Sequence, residues 1–182
     1  MTTTTTYAAF AGDRTIATGE LAEVLTKVKR RLDKNDIDQL LIFDELTGRQ
    51  VDFDFRGTIE EMLERELPRP AVQGPGRPKL GVVSREISLL PAHWAWLEEQ
   101  PNGISAALRR LVDEASKRDP DKQRARKARE ATGRFMTALA GDRPNFEEAM
   151  RVLYAGDRET LTDLTSRWPK DIRAQIARML GS

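Results

Sequence analysis

Residues 82–118 read VVSREISLLPAHWAWLEEQPNGISAALRRLVDEASKR, and the organisation of the chain turns on how this stretch is patterned. Arg85 to Leu90 is a short extended run. It puts Ile87 and Leu89 on one face and Glu86 and Ser88 on the other, which is the period of two of a strand. Pro91 suits the first turn of a helix, where its missing N–H leaves no bond unmade. Trp94 and Leu97 then share one face of a short helix, and Pro101-Asn102-Gly103 ends it. Ser105 is placed to cap a second helix whose apolar stripe is Leu108, Leu111, Val112 and Ala115. A strand and two helices of this size cannot bury their own apolar faces. Units below ~40 residues usually depend on disulfides, a metal or a partner. The chain has no cysteine, and this stretch offers no set of metal ligands. A second copy meets the need: the two strands pair as an antiparallel ribbon and four helices pack beneath it. The expectation is a homodimer formed through residues 82–118.

The run Ile87-Ser88-Leu89-Leu90-Pro91-Ala92-His93-Trp94-Ala95-Trp96-Leu97 resembles the strand-to-helix junction of the ribbon-helix-helix repressors, the Arc/MetJ-like group. Gly103-Ile104-Ser105 followed by Leu108 resembles their turn into the second helix. The resemblance implies that the paired strands enter the major groove of double-stranded DNA, as β-ribbon readers do. The positions facing the bases would be Ser84, Glu86 and Ser88. The N-terminus of the second helix would hold a phosphate through the amides of Ser105, Ala106 and Ala107, with help from the helix dipole. Two positions depart from the pattern. Glu86 is acidic where the reading strands are usually basic or polar, although a carboxylate can accept from cytosine N4. Arg85 stands where an apolar residue is usual.

Just upstream, Gly76-Arg77-Pro78-Lys79 resembles the core of an AT-hook. Proline fixes an extended backbone, glycine permits close approach, and Arg77, followed by Lys79, is drawn to the negative potential of a narrow A·T minor groove. Downstream, Lys117, Arg118, Lys122, Arg124, Arg126, Lys127 and Arg129 form a basic stretch able to meet phosphates, interrupted by Asp119 and Asp121. Together these features predict a DNA-binding protein, either a dimeric transcriptional regulator or a nucleoid-associated protein. The competing reading of the same residues is a homodimeric, antitoxin-like adaptor that interacts with proteins and reads no bases; Glu86 and the net charge of +1 favour it.

Around this unit, the 182 residues have room for further structure. The fold class expected is α+β. A small N-terminal α+β domain over 1–67 has the order ββαββα and is β-grasp-like in outline. Its signals are a hairpin around Gly12-Asp13 and an amphipathic helix through Leu21, Val24, Leu25, Val28 and Leu32. A buried strand at Leu40–Phe43 follows, then an alternating strand through Val51, Phe53 and Phe55, and a helix opened by a Thr58/Glu61 capping box. Residues 68–81, with four prolines and two glycines between Pro68 and Lys79, read as a linker carrying the hook-like arm. Residues 119–182 read as a helical C-terminal region. There the tetrapeptide Ala-Gly-Asp-Arg of Ala11–Arg14 returns at Ala140–Arg143 and Ala155–Arg158, and Asn145 with Glu148 marks a capping box. Pro169 suits the start of a last helix bearing Ile172, Ile176, Met179 and Leu180. Charge is uneven: 9 basic against 14 acidic residues over 1–68, and 12 against 8 over 76–130, so an acidic body is expected beside a basic module.

Nothing in the sequence assembles an enzyme. His93 is the lone histidine and lies beside two tryptophans, as a partly exposed helix residue would. Asp52 and Asp54 alternate with apolar residues and read as a strand's solvent face. Gly74 to Lys79 lacks the spacing of a phosphate loop. No catalytic residues, metal or cofactor are therefore expected. Met1–Thr6 has neither the basic nor the apolar region of a signal peptide, and no window approaches the ~18 apolar residues of a membrane span; a cytoplasmic protein without a membrane partner is expected. Gly-Arg-Pro-Lys-Leu-Gly-Val-Val, Leu-Leu-Pro-Ala-His-Trp-Ala-Trp-Leu and Ala-Leu-Arg-Arg-Leu-Val together are also similar to a bacterial family known as a domain of unknown function, along most of the chain. That similarity implies a shared three-part organisation and no particular activity.

Overall fold

A computed structural model describes residues 5–37, 39–67 and 83–181. The elements run β1 (Tyr7–Ala11), β2 (Arg14–Gly19), α1 (Leu21–Leu32), β3 (Leu40–Asp44), β4 (Arg49–Gln50), α2 (Ile59–Glu66), α3 (Pro91–Glu98), α4 (Ile104–Arg118), α5 (Pro120–Ala140), α6 (Phe146–Ala155), α7 (Arg158–Leu164) and α8 (Lys170–Met179). The α+β class and the ββαββα order of the N-terminal part hold. The strands form one sheet of order β2-β1-β3-β4 in which every neighbouring pair is antiparallel.

The chain divides into two compact units. One takes in the described residues of Met1–Pro68 and Gln123–Ser182, the other those of Arg69–Lys122. The expected three consecutive parts are thereby revised: the C-terminal helices do not stand apart from the N-terminal sheet. The reason lies in the central strands. On β1, Ala8 and Phe10 point to one side and Ala9 to the other, and all three are fully buried. On β3, Phe43 and Ile42 divide in the same way. The sheet is thus apolar on both faces, and a two-faced sheet needs a layer on each side. α1 and α2 cover one face through Val24, Leu25, Val28 and Met62, closing over the small side chains of Ala9 and Ala17. The other face is covered by C-terminal helices. Phe135 of α5 meets Phe10 and Phe43 with ring centroids 5.4 and 5.1 Å apart, and Met136, Leu153, Leu161, Trp168, Ile172 and Ile176 extend that core.

The turn between β3 and β4 rests directly on α5. Asp44 Oδ1 accepts from the amides of Leu46 and Thr47 at 2.8 and 3.2 Å, and Gly48 closes the turn with φ +66°. A Cβ on Gly48 would lie 1.9 Å from the carbonyl oxygen of Ala131, and Arg134 Nη1 donates to the Thr47 carbonyl at 2.8 Å. A second tie joins repeated tetrapeptides: Arg143 Nη2 donates to both oxygens of Asp13, at 2.7 and 2.6 Å. A third runs through Glu45, which accepts from Gln175 Nε2 at 2.5 Å and from Arg178 of α8. Burial opposes ionisation of Glu45. Hydrogen bonds from Gln175, Thr6 and Arg178, with the Arg178 charge, outweigh it and hold the carboxyl below its usual range.

Local capping chemistry is partly as expected. Thr58 and Glu61 form the capping box of α2, Gly156 ends α6 in the left-handed region, and Asp157 caps α7 through the Thr160 amide. The last helix begins just after Pro169 and buries Ile172 and Ile176. Two expectations need correction. Asn145 does stand at the start of α6, but its backbone is left-handed (φ +62°) and its side chain caps nothing; its amide instead donates to the Leu164 carbonyl at 3.4 Å. And the strand predicted through Val51, Phe53 and Phe55 shrinks to Arg49–Gln50. Beyond it, side chains take the place of a neighbouring strand. Glu66 accepts from the Asp54 amide at 3.2 Å, and Arg65 Nη2 donates to the carbonyls of Asp54 and Arg56, both at 2.8 Å. Phe53 and Phe55 still pack half-buried against the α1 side of the sheet.

Two outcomes follow from these ties. Gly12, at φ +54°, has open space where a Cβ would go, so Gly12→Ala should cost only the left-handed penalty of about 1–2 kcal/mol. Gly48→Ala adds the clash with Ala131 and should cost ~1–3 kcal/mol more; equal losses in urea unfolding would refute direct contact between the turn and α5. The lowered Glu45 makes a contribution to stability that is present above the ordinary glutamate pKa of about 4.3 and is lost as pH falls through the folded value. The stability gap between wild type and Glu45→Gln should therefore narrow from pH 7 to pH 3 in the same assay.

Candidate nucleic-acid interface

The segment predicted to bind DNA folds as two helices preceded by a stretch without regular pairing. His93 and Trp94 amides bond to the Leu90 carbonyl at 2.9 and 3.2 Å, so Leu90 precedes α3 and Pro91 opens it, as expected. Asn102 (φ +67°) and Gly103 (φ +80°) are consecutive left-handed residues that reverse the chain into α4. Glycine bears that conformation without strain. The helix therefore starts at Ile104, and its cap position is Gly103, two residues before the expected Ser105; no side chain caps it.

This shift changes which amides stand at the open end of the helix. The Ala106 and Ala107 amides both point at the Gly103 carbonyl, at 3.1 Å each, and Ala107 is buried. They are engaged within the helix. The first-turn amides left without an intrahelical acceptor belong to Ile104 and Ser105. Of the expected phosphate group, Ser105 alone keeps its place, exposed at the start of α4.

Val83–Leu90 makes no strand pairing among the described residues, and Ser84, Glu86 and Ser88 are all exposed. Leu89 is half-buried, while Ile87, assigned to the same face, is half exposed. Arg77 and Lys79, with the rest of the linker over 68–81, lie outside the described residues.

The packing of this unit is thin. Across 83–118 only Leu97 and Ala107 are buried. α3 covers the first turn of α4, where Ile104 and Leu108 are half-buried, but the rest of the predicted stripe stays open, with Leu111 38% and Val112 63% exposed. α3 is apolar around much of its circumference, and Trp96 is 46% exposed. A helix apolar on several faces is ordinarily a buried one. Six of the eight large exposed apolar side chains among the described residues fall between Val83 and Val112.

The basic stretch is split by the break at Asp119. Lys117 and Arg118 end α4, whereas Lys122, Arg124, Arg126, Lys127 and Arg129 lie on α5. Arg126 pairs with Glu130 at 3.7 Å and Arg110 with Glu114 at 4.0 Å; exposed pairs of this kind stabilise by ~1 kcal/mol or less. His93 is exposed on α3. Asp52 is exposed, and Asp54 is taken up by Arg56 and Arg65. The Arg56 hydrogen bonds above all, then the charges of Arg56 and Arg65, hold Asp54 well below the usual carboxylate range. Among the described residues no group of three or more His, Asp or Glu side chains is arranged to hold a metal, and no helix is long and apolar enough to cross a membrane.

Sequence reasoning missed how much apolar surface the unit leaves open. The signal was present in the Trp-Ala-Trp-Leu run, whose two indoles two residues apart cannot face one side of a helix together. Comparison with curated proteins and with solved structures finds no match. A family model described as an uncharacterized protein conserved in bacteria (DUF2239) matches residues 6–180. A match over that span runs through both units, and the chain belongs to this bacterial family.

Proposed function

We propose that residues 83–118 of two copies pair into a ribbon-helix-helix dimer that binds double-stranded DNA, in a gene-regulatory or nucleoid-organising role. One observation carries the reading: a 36-residue unit buries two side chains and leaves six large apolar ones exposed. Exposed apolar patches of this kind mark surfaces that meet a partner. A second copy is the partner best suited, because Val83–Leu90 has a strand's alternation and no strand pairing among the described residues, and could pair with itself. Antiparallel pairing would give each strand its missing hydrogen bonds. It would also bring Ile87 and Leu89 over the open stripe of Leu111 and Val112.

In such a dimer Ser84, Glu86 and Ser88 form the outward face of the ribbon. The Ile104 and Ser105 amides are then the natural phosphate contacts, in place of those of Ala106 and Ala107. Arg77 and Lys79 precede the ribbon directly and would follow the adjoining minor groove. A second reading is favoured by Glu86, an exposed carboxylate at the centre of the proposed reading face: the dimer is kept while its outward face meets a basic protein partner instead of DNA.

Light scattering at micromolar concentration should give twice the chain mass, and Ile87→Asp with Val112→Asp should return it to the monomer. A wild-type monomer would sink both readings. Binding to a random duplex should be measurable at low salt and fall steeply as salt rises; Arg77→Ala with Lys79→Ala should weaken it about tenfold or more. A dimer that binds no duplex even at low salt decides for the protein-interaction reading.

A further inference from the structure

The unit built on the sheet carries a cleft that the DNA reading does not use. It lies where the start of α5 faces the turn after β3 and the end of α8, and it encloses about 410 Å³. That is within the ~300–1,000 Å³ typical of small-molecule sites. Its apolar lining comes from Leu46, Met179, Leu180 and the alanines of α5. Leu46 is 54% exposed at its edge, a large apolar side chain with little to cover it. Its polar lining is cationic: Arg124 and Lys127 come from α5 and Arg158 from the first turn of α7. A smaller adjoining cavity of about 40 Å³ shares Ala125, Ala128, Arg158 and Leu180 and adds Arg129.

The two carboxylates that line these cavities, Glu45 and Asp157, are each held by other groups. Glu45 accepts from Gln175 and Arg178. Asp157 is held by the amide and hydroxyl of Thr160, at 3.1 and 2.6 Å. Arg158 is fixed in place by donating to the Leu180 carbonyl. Lys127 and Arg129 make no ion pair among the described residues, and Arg129 Nη1 lies over Gly156, 3.1 Å from where a Cβ would stand. A cation at the rim of an apolar floor, Lys127 beside Leu46, Met179 and Leu180, complements one chemistry: an anionic head on an apolar body.

We propose that this cleft binds a small anionic amphiphile, a carboxylate or phosphate ester with an aliphatic or aromatic tail. The head meets Lys127, and the tail lies along Leu46, Met179 and Leu180. Tail burial favours binding by removing apolar area from water. The head adds charge-assisted hydrogen bonds, which are stronger than neutral ones.

The test is calorimetric titration of the full chain with decanoate, decyl phosphate and neutral decanol, all kept below their micellar concentrations. Both anions should bind with a 1:1 stoichiometry per chain and raise Tm, while decanol should bind at least tenfold more weakly. Lys127→Glu and Leu46→Glu, both at exposed positions, should each weaken anion binding tenfold or more with wild-type unfolding behaviour in the absence of ligand. Three results would overturn the proposal: no binding of either anion at millimolar concentration, decanol binding as tightly as decanoate, or anion binding unchanged in both variants. The last would place the ligand on the open apolar surface of residues 83–118. The dimer and duplex measurements are independent of every one of these outcomes.

Discussion

The structure of the larger unit depends on the contact between Phe135 of α5 and the pair Phe10 and Phe43 on the central strands. Phe10 and Phe43 themselves meet edge to face at 6.3 Å, so the three rings form one closed cluster. Each such pair is worth about 0.5–1.5 kcal/mol beyond the area it buries. More important is what the cluster joins. Phe10 and Phe43 lie in the first quarter of the chain and Phe135 in the last third. Their meeting turns two stretches of sequence into one core. Gly48 lets the turn come within contact of the α5 backbone, and Asp13–Arg143 and Glu45–Arg178 tie the margins.

A sheet apolar on one face could have stood with α1 and α2 alone. This one cannot, because Ala8, Phe10 and Phe43 point away from those helices. The C-terminal helices are therefore as much a part of the sheet's fold as α1 is, and a break between them in sequence is an insertion in structural terms. The unit over 83–118 faces the opposite problem. It has apolar side chains in plenty and too few positions to enclose them, since Leu97 and Ala107 are all that it buries over 83–118. One unit satisfies its apolar surface within the chain; the other leaves it open.

Electrostatics follows the same division. In the larger unit carboxylates are mostly taken up by nearby cations or amides: Asp54 by Arg56 and Arg65, Asp13 by Arg143, Glu45 by Gln175 and Arg178, and Asp157 by Thr160. The lysines of α1 are likewise tied down locally, Lys27 to Glu23 and Lys29 to Asp33, each at 2.6 Å. Charge counted along the sequence thus says little about which cations remain available. Lys127 and Arg129 make no ion pair among the described residues, although acidic residues stand near them in sequence.

Local chemistry was legible in the sequence. The hairpin at Gly12-Asp13, the apolar period of α1, the Thr58/Glu61 box, the Pro91 start of α3 and the Asp157 cap are decided by neighbours within four residues, and they stand where the pattern places them. Where a competing partner lies far along the chain, the local pattern was not enough. Asn145 gives up its cap for a carbonyl 19 residues away, and Phe53 and Phe55 alternate like a strand although no strand among the described residues pairs with them. Gly103 takes the place assigned to Ser105 because a left-handed pair of residues reverses the chain sooner than a serine cap would. The sequence by itself determined that residues 82–118 form a strand-patterned stretch and two helices too small to close on themselves. Only the tertiary structure decided that 1–68 and 123–182 are one body and which apolar side chains of 83–118 stay exposed. Burial is a property of surfaces brought together over more than a hundred residues, and no local periodicity encodes which surface will meet which.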